Sequence, residues 1–303
     1  MKSEELQGLR GMAVIAVVLF HLKVRHVARG FLGVDMRLLP CFALLLLIVT
    51  LVVPFFFILD EVDTAVEEIY HSMPFLINFK FASEERSYWT KDKMFSSVVM
   101  HLWSLAVEMQ FYLIVPLIYW AINRLEKVEH RVAGHSAILG ASLLSHYLEP
   151  SDNHQFYFLH NRLWEFVAGF IVQEIAAEMH RSRKLTSFSI ACSILMLWML
   201  TGDESPSVGN TAIIMRVMAV LCTSLIILCS GVAGNRLLSM KWLVYTGDVS
   251  YVLYLIHWPV IVFVHSCVLT LNLNNVAICL IISMLLSMIV HHTFEKPLLT
   301  RNF

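Results

Sequence analysis

His101, Ser104, Glu108 and Tyr112 are reactive-type side chains at the mouth of an apolar stretch, in the run His101-Leu-Trp-Ser-Leu-Ala-Val-Glu108-Met-Gln-Phe-Tyr112. At about 100° per residue they fall within a sector of about 80° on one helix face. The opposite face is apolar apart from Gln110. Ionisable groups at the edge of a bilayer core are costly to bury, so they face a bundle interior or a wet cavity and mark a substrate path or a chemical site. An imidazole in such a place suits a general base, with Glu108 orienting it or holding a substrate hydroxyl. A purely structural His101–Glu108 pairing is the alternative. Ser104 lies one turn from His101, and capping the helix fits it better than acting as a nucleophile.

Three further groups carry similar chemistry. Arg10 and His21 share a face of the first apolar helix, three turns or about 16 Å apart. A fixed cation at one end and a group titrating near neutral pH at the other suit a long anionic, activated substrate; the plain alternative is a snorkelling Arg and a His bonded to a carbonyl. Ser250, Tyr254 and His257 succeed one another by single turns in Asp248-Val-Ser-Tyr-Val-Leu-Tyr-Leu-Ile-His-Trp-Pro259 and can line one polar stripe. Pro259 there frees a backbone carbonyl. Arg162 and Glu165, one turn apart, read equally as a local ion pair or as part of a site. His291, His292 and Glu295 include metal-ligand types, but no His-Glu-x-x-His and no second ligand cluster accompany them, so no metal site is expected.

These residues must be positioned by membrane-embedded helices. Of the 303 residues 58% are hydrophobic and only 15% charged, and the mean hydropathy is +0.69, outside the range of an ordinary soluble domain. With 22 basic and 23 acidic residues there is no cationic excess, and nucleic acid is not an expected partner. The apolar run from Met12 to Phe20 follows Lys2 and Arg10 as in a secretory signal, but no small-x-small cleavage pattern follows it, so it reads as a retained helix. The six cysteines lie almost wholly in apolar runs without paired spacing and read as small core residues.

The expected fold is an all-α polytopic transmembrane bundle, one domain over 1–303. Nine candidate spans lie at about 11–24, 38–59, 98–120, 133–148, 161–177, 187–201, 211–231, 250–271 and 275–293. The stretch 60–97 reads as one long polar connection. Basic loops at 121–132, 178–186 and 232–242 and the basic tail alternate with connections lacking Lys and Arg, which puts the C-terminus in the cytoplasm. Residues 60–97 then lie outside, and nine spans put the N-terminus outside too.

Leu9-Arg10-Gly11 with His21, Gly30-Phe-Leu-Gly-Val-Asp35, His101-x-Trp-Ser-Leu-x-x-Glu108-x-Gln-Phe-Tyr, Arg162-x-x-Glu165, Ser250-Tyr-x-x-Tyr-x-x-His257-Trp-Pro and Phe294-Glu-Lys-Pro297, in this order, resemble the acyltransferase type 3 family over nearly the whole chain. The resemblance implies a multispanning membrane enzyme, here the membrane module without a C-terminal SGNH-type domain. Such an enzyme O-acylates a hydroxyl-bearing acceptor such as a carbohydrate, commonly from acyl-CoA, with no bound cofactor. It implies that His21, His101 and Glu108 are catalytic. Arg10, Arg37, Ser104, Arg162, Glu165, Tyr254 and His257 are assigned to substrate binding.

One departure is expected to matter. After Asp35 the family continues into a further apolar helix and a basic stretch leading to Arg-Leu-Leu-Pro, whereas here Met36-Arg37-Leu-Leu-Pro40 follows directly. Restoring one span gives about ten and returns both termini to the cytoplasm. A first helix inserted in the reversed sense puts His21 and His101 on opposite faces, so a catalytically inactive truncated homologue is the alternative function. A membrane transporter is the alternative from another class, since intramembrane His, Glu and Arg also build ion pathways.

Overall fold

The computed structural model describes residues 4–21, 39–56, 59–84, 97–178, 188–195, 210–229, 237–268 and 273–300, and among these there is no strand. The helices are α1 (Glu4–His21), α2 (Leu39–Phe56), α3 (Leu59–Ser72), α4 (Ile77–Ser83), α5 (Leu102–Ile122), α6 (Val128–Leu148), α7 (Asp152–Tyr157), α8 (Leu159–Glu178), α9 (Asn210–Cys229), α10 (Lys241–Asp248), α11 (Ser250–Val268), α12 (Leu273–Val290) and α13 (Lys296–Thr300). A π-helical turn, His291–Glu295, joins the last two, and 188–195 is also helical. The all-α expectation holds.

Among the described residues three helices are long and apolar enough to cross a membrane: Leu102–Ile122, Ser250–Cys267 and Asn275–Thr300. Leu39–Phe55 and Ile213–Leu228 are apolar but shorter. The stretch 133–148 is helical within α6, yet Glu129, His130, Arg131, His135 and His146 keep it out of that group. The join at Asp35–Met36 lies outside the described residues.

The helices are apolar outward as well as inward. On α12 Cys279, Ser283 and Ser287 are buried while Ile281, Leu285 and Ile289 are exposed. On α5 Trp103, Leu105 and Ala106 are buried while Leu113, Leu117 and Trp120 are exposed. On α12 small and polar groups turn inward and large apolar groups outward, the arrangement a lipid surround favours. The central core joins α2, α4, α5 and α11 through Val49, Phe81, Leu105, Leu255 and Trp258. Cys41, Cys192, Cys222 and Cys279 are buried free thiols, as expected of small core residues, and Cys267 is exposed.

The long connection at 60–97 is not simply polar chain: it contains α3 and α4. Val62, Ala65 and Ile69 recur at helical spacing and turn into the core. Lys80 bridges Glu67 at 2.7 Å and Glu84 at 2.6 Å; burial acts against its charge, but the two carboxylates outweigh it and raise its pKa. Phe75, in the turn between these helices, holds a left-handed φ of 59°. Its ring stacks on Phe42 at 4.8 Å and its carbonyl accepts a hydrogen bond from Gln110 at 2.8 Å, contacts that offset the strain. Buried Asn78 donates to the Tyr157 carbonyl at 3.0 Å and accepts from Gln110 at 2.9 Å. Asn78→Leu is therefore expected to cost about 2 kcal/mol, because two buried polar partners lose their bonds; a lower thermal unfolding midpoint in detergent is the readout.

α6 and α8 are clamped at both ends. Arg131 forks onto Glu174, with Nε at 3.1 and 3.0 Å from its two oxygens. Ser142 donates to the His160 carbonyl at 2.6 Å and accepts from the Trp164 amide at 3.0 Å, which satisfies a backbone donor in the first turns of α8. α1 packs along α10 and against α11.

Candidate functional site

The two sequence rows, one on α5 and one on α11, face each other. His101 precedes α5 with helical dihedrals and is 2% exposed. The Tyr254 hydroxyl donates to the His101 carbonyl. Ser104 Oγ lies 2.7 Å from the same hydroxyl. Tyr254 has one proton and gives it to the carbonyl, so Ser104 is the donor in that second bond. Ser104 does not cap the helix, because the first turn of α5 has no side-chain cap and the Ser104 hydroxyl is committed to Tyr254.

The imidazoles of His101 and His257 meet edge to face, their centroids 5.5 Å apart, and the Tyr254 ring is 5.3 Å from His101. His257 Nδ1 is 3.0 Å from the Leu253 carbonyl. A carbonyl can only accept, so Nδ1 carries the proton and Nε2 keeps the lone pair of the neutral ring. Trp258 Nε1 donates to the Ser97 carbonyl at 2.8 Å. Two side chains of α11 thus hold the backbone leading into α5 at Ser97 and at His101, the backbone from which the His101 ring projects.

Glu108 lies further along the same face. Tyr112 donates to it at 3.1 Å, and its charge reaches Tyr251 and Tyr254. Seven residues of helix put it about 10 Å along the axis from His101. The contacts on α5 therefore join Glu108 to Tyr112, one turn further on.

Arg162 and Glu165 form a buried local ion pair, with Nε 3.2 Å from each carboxylate oxygen and Nη2 2.6 Å from Oε2. The guanidinium lies 5.0 Å from the Trp103 ring. Trp103 is about 200° around α5 from His101, so this pair borders the other flank of α5. Arg10 is exposed on α1. His21 ends α1, but its side chain, like all of Arg37, lies outside the described residues.

The sequence reading named His291 and Glu295 only as metal-ligand types and missed their pairing, and it missed Arg216 altogether. His291 Nδ1 is 2.5 Å from Glu295 Oε2 on the π turn, and the Glu295 charge reaches Tyr251, as that of Glu108 does. π turns recur at functional sites, but their backbone is not visible in residue periodicity. Arg216 sits within α9; a lone Arg inside an apolar span is itself the signal that finds it.

The acyltransferase domain family Acyl_transf_3 matches residues 68–292, from α3 to the π turn. The chain belongs to the acyltransferase type 3 family. It is 26% identical over 313 residues to the O-acetyltransferase OatA of Staphylococcus aureus, covering 86% of this chain and 51% of the relative. It is 25% identical over 352 residues to the "Putative peptidoglycan O-acetyltransferase YrhL" of Bacillus subtilis, covering 98% and 55%. The chain thus spans about half the length of the curated relatives it matches. No solved structure matches it. The family match contains both facing rows and the Arg162–Glu165 pair, whereas α1 lies outside it.

Tyr254→Phe keeps the ring and removes the hydroxyl bonded to His101 and Ser104. If the chain transfers acyl groups through His101, the loss of this hydroxyl is expected to lower kcat about tenfold or more with a smaller change in KM. The thermal midpoint is expected to fall by the equivalent of about 1 kcal/mol. Equal loss in kcat and stability across Tyr254→Phe and Ser104→Ala would assign the hydroxyl a structural role alone.

Proposed function

We propose that this protein is a membrane O-acyltransferase that moves an acyl group, acetyl by analogy with its relatives' names, from acyl-CoA to a hydroxyl of a carbohydrate such as peptidoglycan. The observation that carries this reading is the pair of buried imidazoles, His101 and His257, facing each other at 5.5 Å within the family match. In the reaction a histidine takes the acceptor proton as the hydroxyl oxygen attacks the thioester carbonyl. The carbon–sulfur bond breaks, and the CoA sulfur leaves with that proton. His101 is the base assigned here, and His257 and Tyr254 hold it in place. Glu108 with Tyr112, about 10 Å further along α5, holds another hydroxyl of the acceptor, and His21 and Arg10 are assigned to the same reaction from α1, which packs on α11. The C-terminus is cytoplasmic in this reading, and the site opens on the opposite side.

A second reading, a catalytically inactive homologue, has its own support: the alignment with YrhL extends over 352 residues, more than the 303 of this chain. That relative therefore has positions without a counterpart here, in keeping with a lost helix after Asp35. Purified protein incubated with labelled acetyl-CoA and peptidoglycan fragments separates the two. Transfer that is lost in His21→Ala and His101→Ala and retained in His292→Ala supports the enzyme; no transfer by folded protein supports the inactive homologue. A glycosylation acceptor placed at the N-terminus reports the orientation of α1, and lumenal modification is the result expected if that helix is reversed.

A further inference from the structure

Arg216 stands in α9 among Ile213, Ile214, Met215, Val217 and Met218. A guanidinium in an apolar span is expensive unless something compensates it. Its Nη1 is buried and has no hydrogen-bond partner, and among the described residues no carboxylate forms an ion pair with Arg216. The fixed charges acting on it are those of Arg162 and Glu165, and that carboxylate is already gripped by the Arg162 fork. His146, beside the same charges, is an imidazole and supplies no negative charge.

Among the described residues the cluster thus sets two guanidinium groups, Arg162 and Arg216, beside the carboxylate of Glu165. Its place is defined by the Phe156 ring, 5.4 Å from the Arg216 guanidinium and 5.9 Å from that of Arg162. Trp103, under Arg162, ties it to the first turn of α5. Among the described residues α7, α8 and α9 therefore gather one surplus positive charge on the flank of α5 that carries Trp103.

We propose that Arg216, with Arg162 beside it, binds a phosphate ester, carried either by a soluble ligand or by a lipid headgroup. A phosphate brings the missing negative charge and several acceptor oxygens to a planar fork of donors, the pairing for which guanidinium is best suited. The site does not depend on acyl transfer, so failure of the enzymatic reading leaves it standing.

The test uses the full chain in maltoside micelles and phosphate-free buffer, titrated in one arm with coenzyme A and in the other with phosphatidylglycerol, with the thermal unfolding midpoint as readout. At least one probe is expected to raise the midpoint. A response to coenzyme A identifies a soluble ester, and one to phosphatidylglycerol a headgroup. Arg216→Gln is expected to weaken the response about tenfold or more, Arg216→Lys to keep part of it, and Arg124→Gln, at an exposed arginine over Trp120, to keep it all. Without probe, Arg216→Gln is expected to melt no lower than wild type, because it removes an uncompensated buried charge. The proposal is overturned if neither probe shifts the wild type, if Arg216→Gln responds as wild type does, or if Arg216→Gln alone lowers the midpoint.

Discussion

His257→Ala and His101→Ala are each expected to reduce acyl transfer by about 10²–10⁴-fold, the range of a lost general base or of the group that positions one. Both rings are nearly or fully buried, so the argument must separate chemistry from packing. His257→Gln keeps an amide donor for the Leu253 carbonyl and most of the volume but has no basic nitrogen. It is expected to fold at close to the wild-type midpoint while remaining as inactive as the alanine variant. The double variant is expected to be scarcely worse than either single one, since residues acting as one unit lose their effect once. Turnover with labelled acetyl-CoA, alongside size-exclusion and thermal profiles, checks all four proteins. Additive losses in the double variant would mean that the two imidazoles work separately, and full activity of His257→Gln would remove His257 from the site.

The parts of this site that were legible in the sequence are those fixed by helical period alone. His101, Ser104 and Glu108 share a face because 3.6 residues make a turn, and so do Tyr254 and His257; no tertiary information is required. That these two rows meet was not legible, because nothing local relates residues separated by 150 positions, and only packing brings Ser104 to Tyr254. The same limit explains Ser104 itself, whose position near a helix start favours capping until a long-range partner claims its hydroxyl. In 60–97 the acidic residues conceal a stripe of Val62, Ala65 and Ile69 that is too short to stand out from composition but sufficient to pack α3 on the core. Arg216 was hidden in the opposite way, diluted by the apolar residues around it. The Arg162–Glu165 pair, by contrast, forms as its spacing suggests, since partners one turn apart need no other element to meet.

Gly8→Ala, Gly11→Ala and Gly247→Ala are expected to be the most destabilising glycine-to-alanine changes among the described residues, each costing about 2–4 kcal/mol. A Cβ at Gly8 would lie 1.7 Å from the Leu238 carbonyl oxygen, one at Gly11 2.1 Å from that of Leu243, and one at Gly247 1.9 Å from that of Gln7. The obstacles are backbone atoms, which have no rotamer to escape into, so α1 must separate from α10 and from the turn that precedes it. This accounts physically for the glycine after Arg10 in Leu9-Arg10-Gly11: without it the helix carrying Arg10 and His21 could not lie against its neighbour. Gly134 is the graded case, because its obstacle is the movable Cδ1 of Ile122 at 2.5 Å, and Gly134→Ala should cost less. Gly140 and Gly169, which have nothing within 4 Å, should gain about 0.5–1 kcal/mol as alanine from reduced backbone entropy in a helix. Thermal midpoints of the six variants in one detergent test the series. Since α1 also packs on α11, the three destabilised variants should lose acyl transfer even below their melting temperatures, whereas Gly140→Ala should retain it; wild-type melting of Gly11→Ala would show that α1 does not pack on α10 this closely.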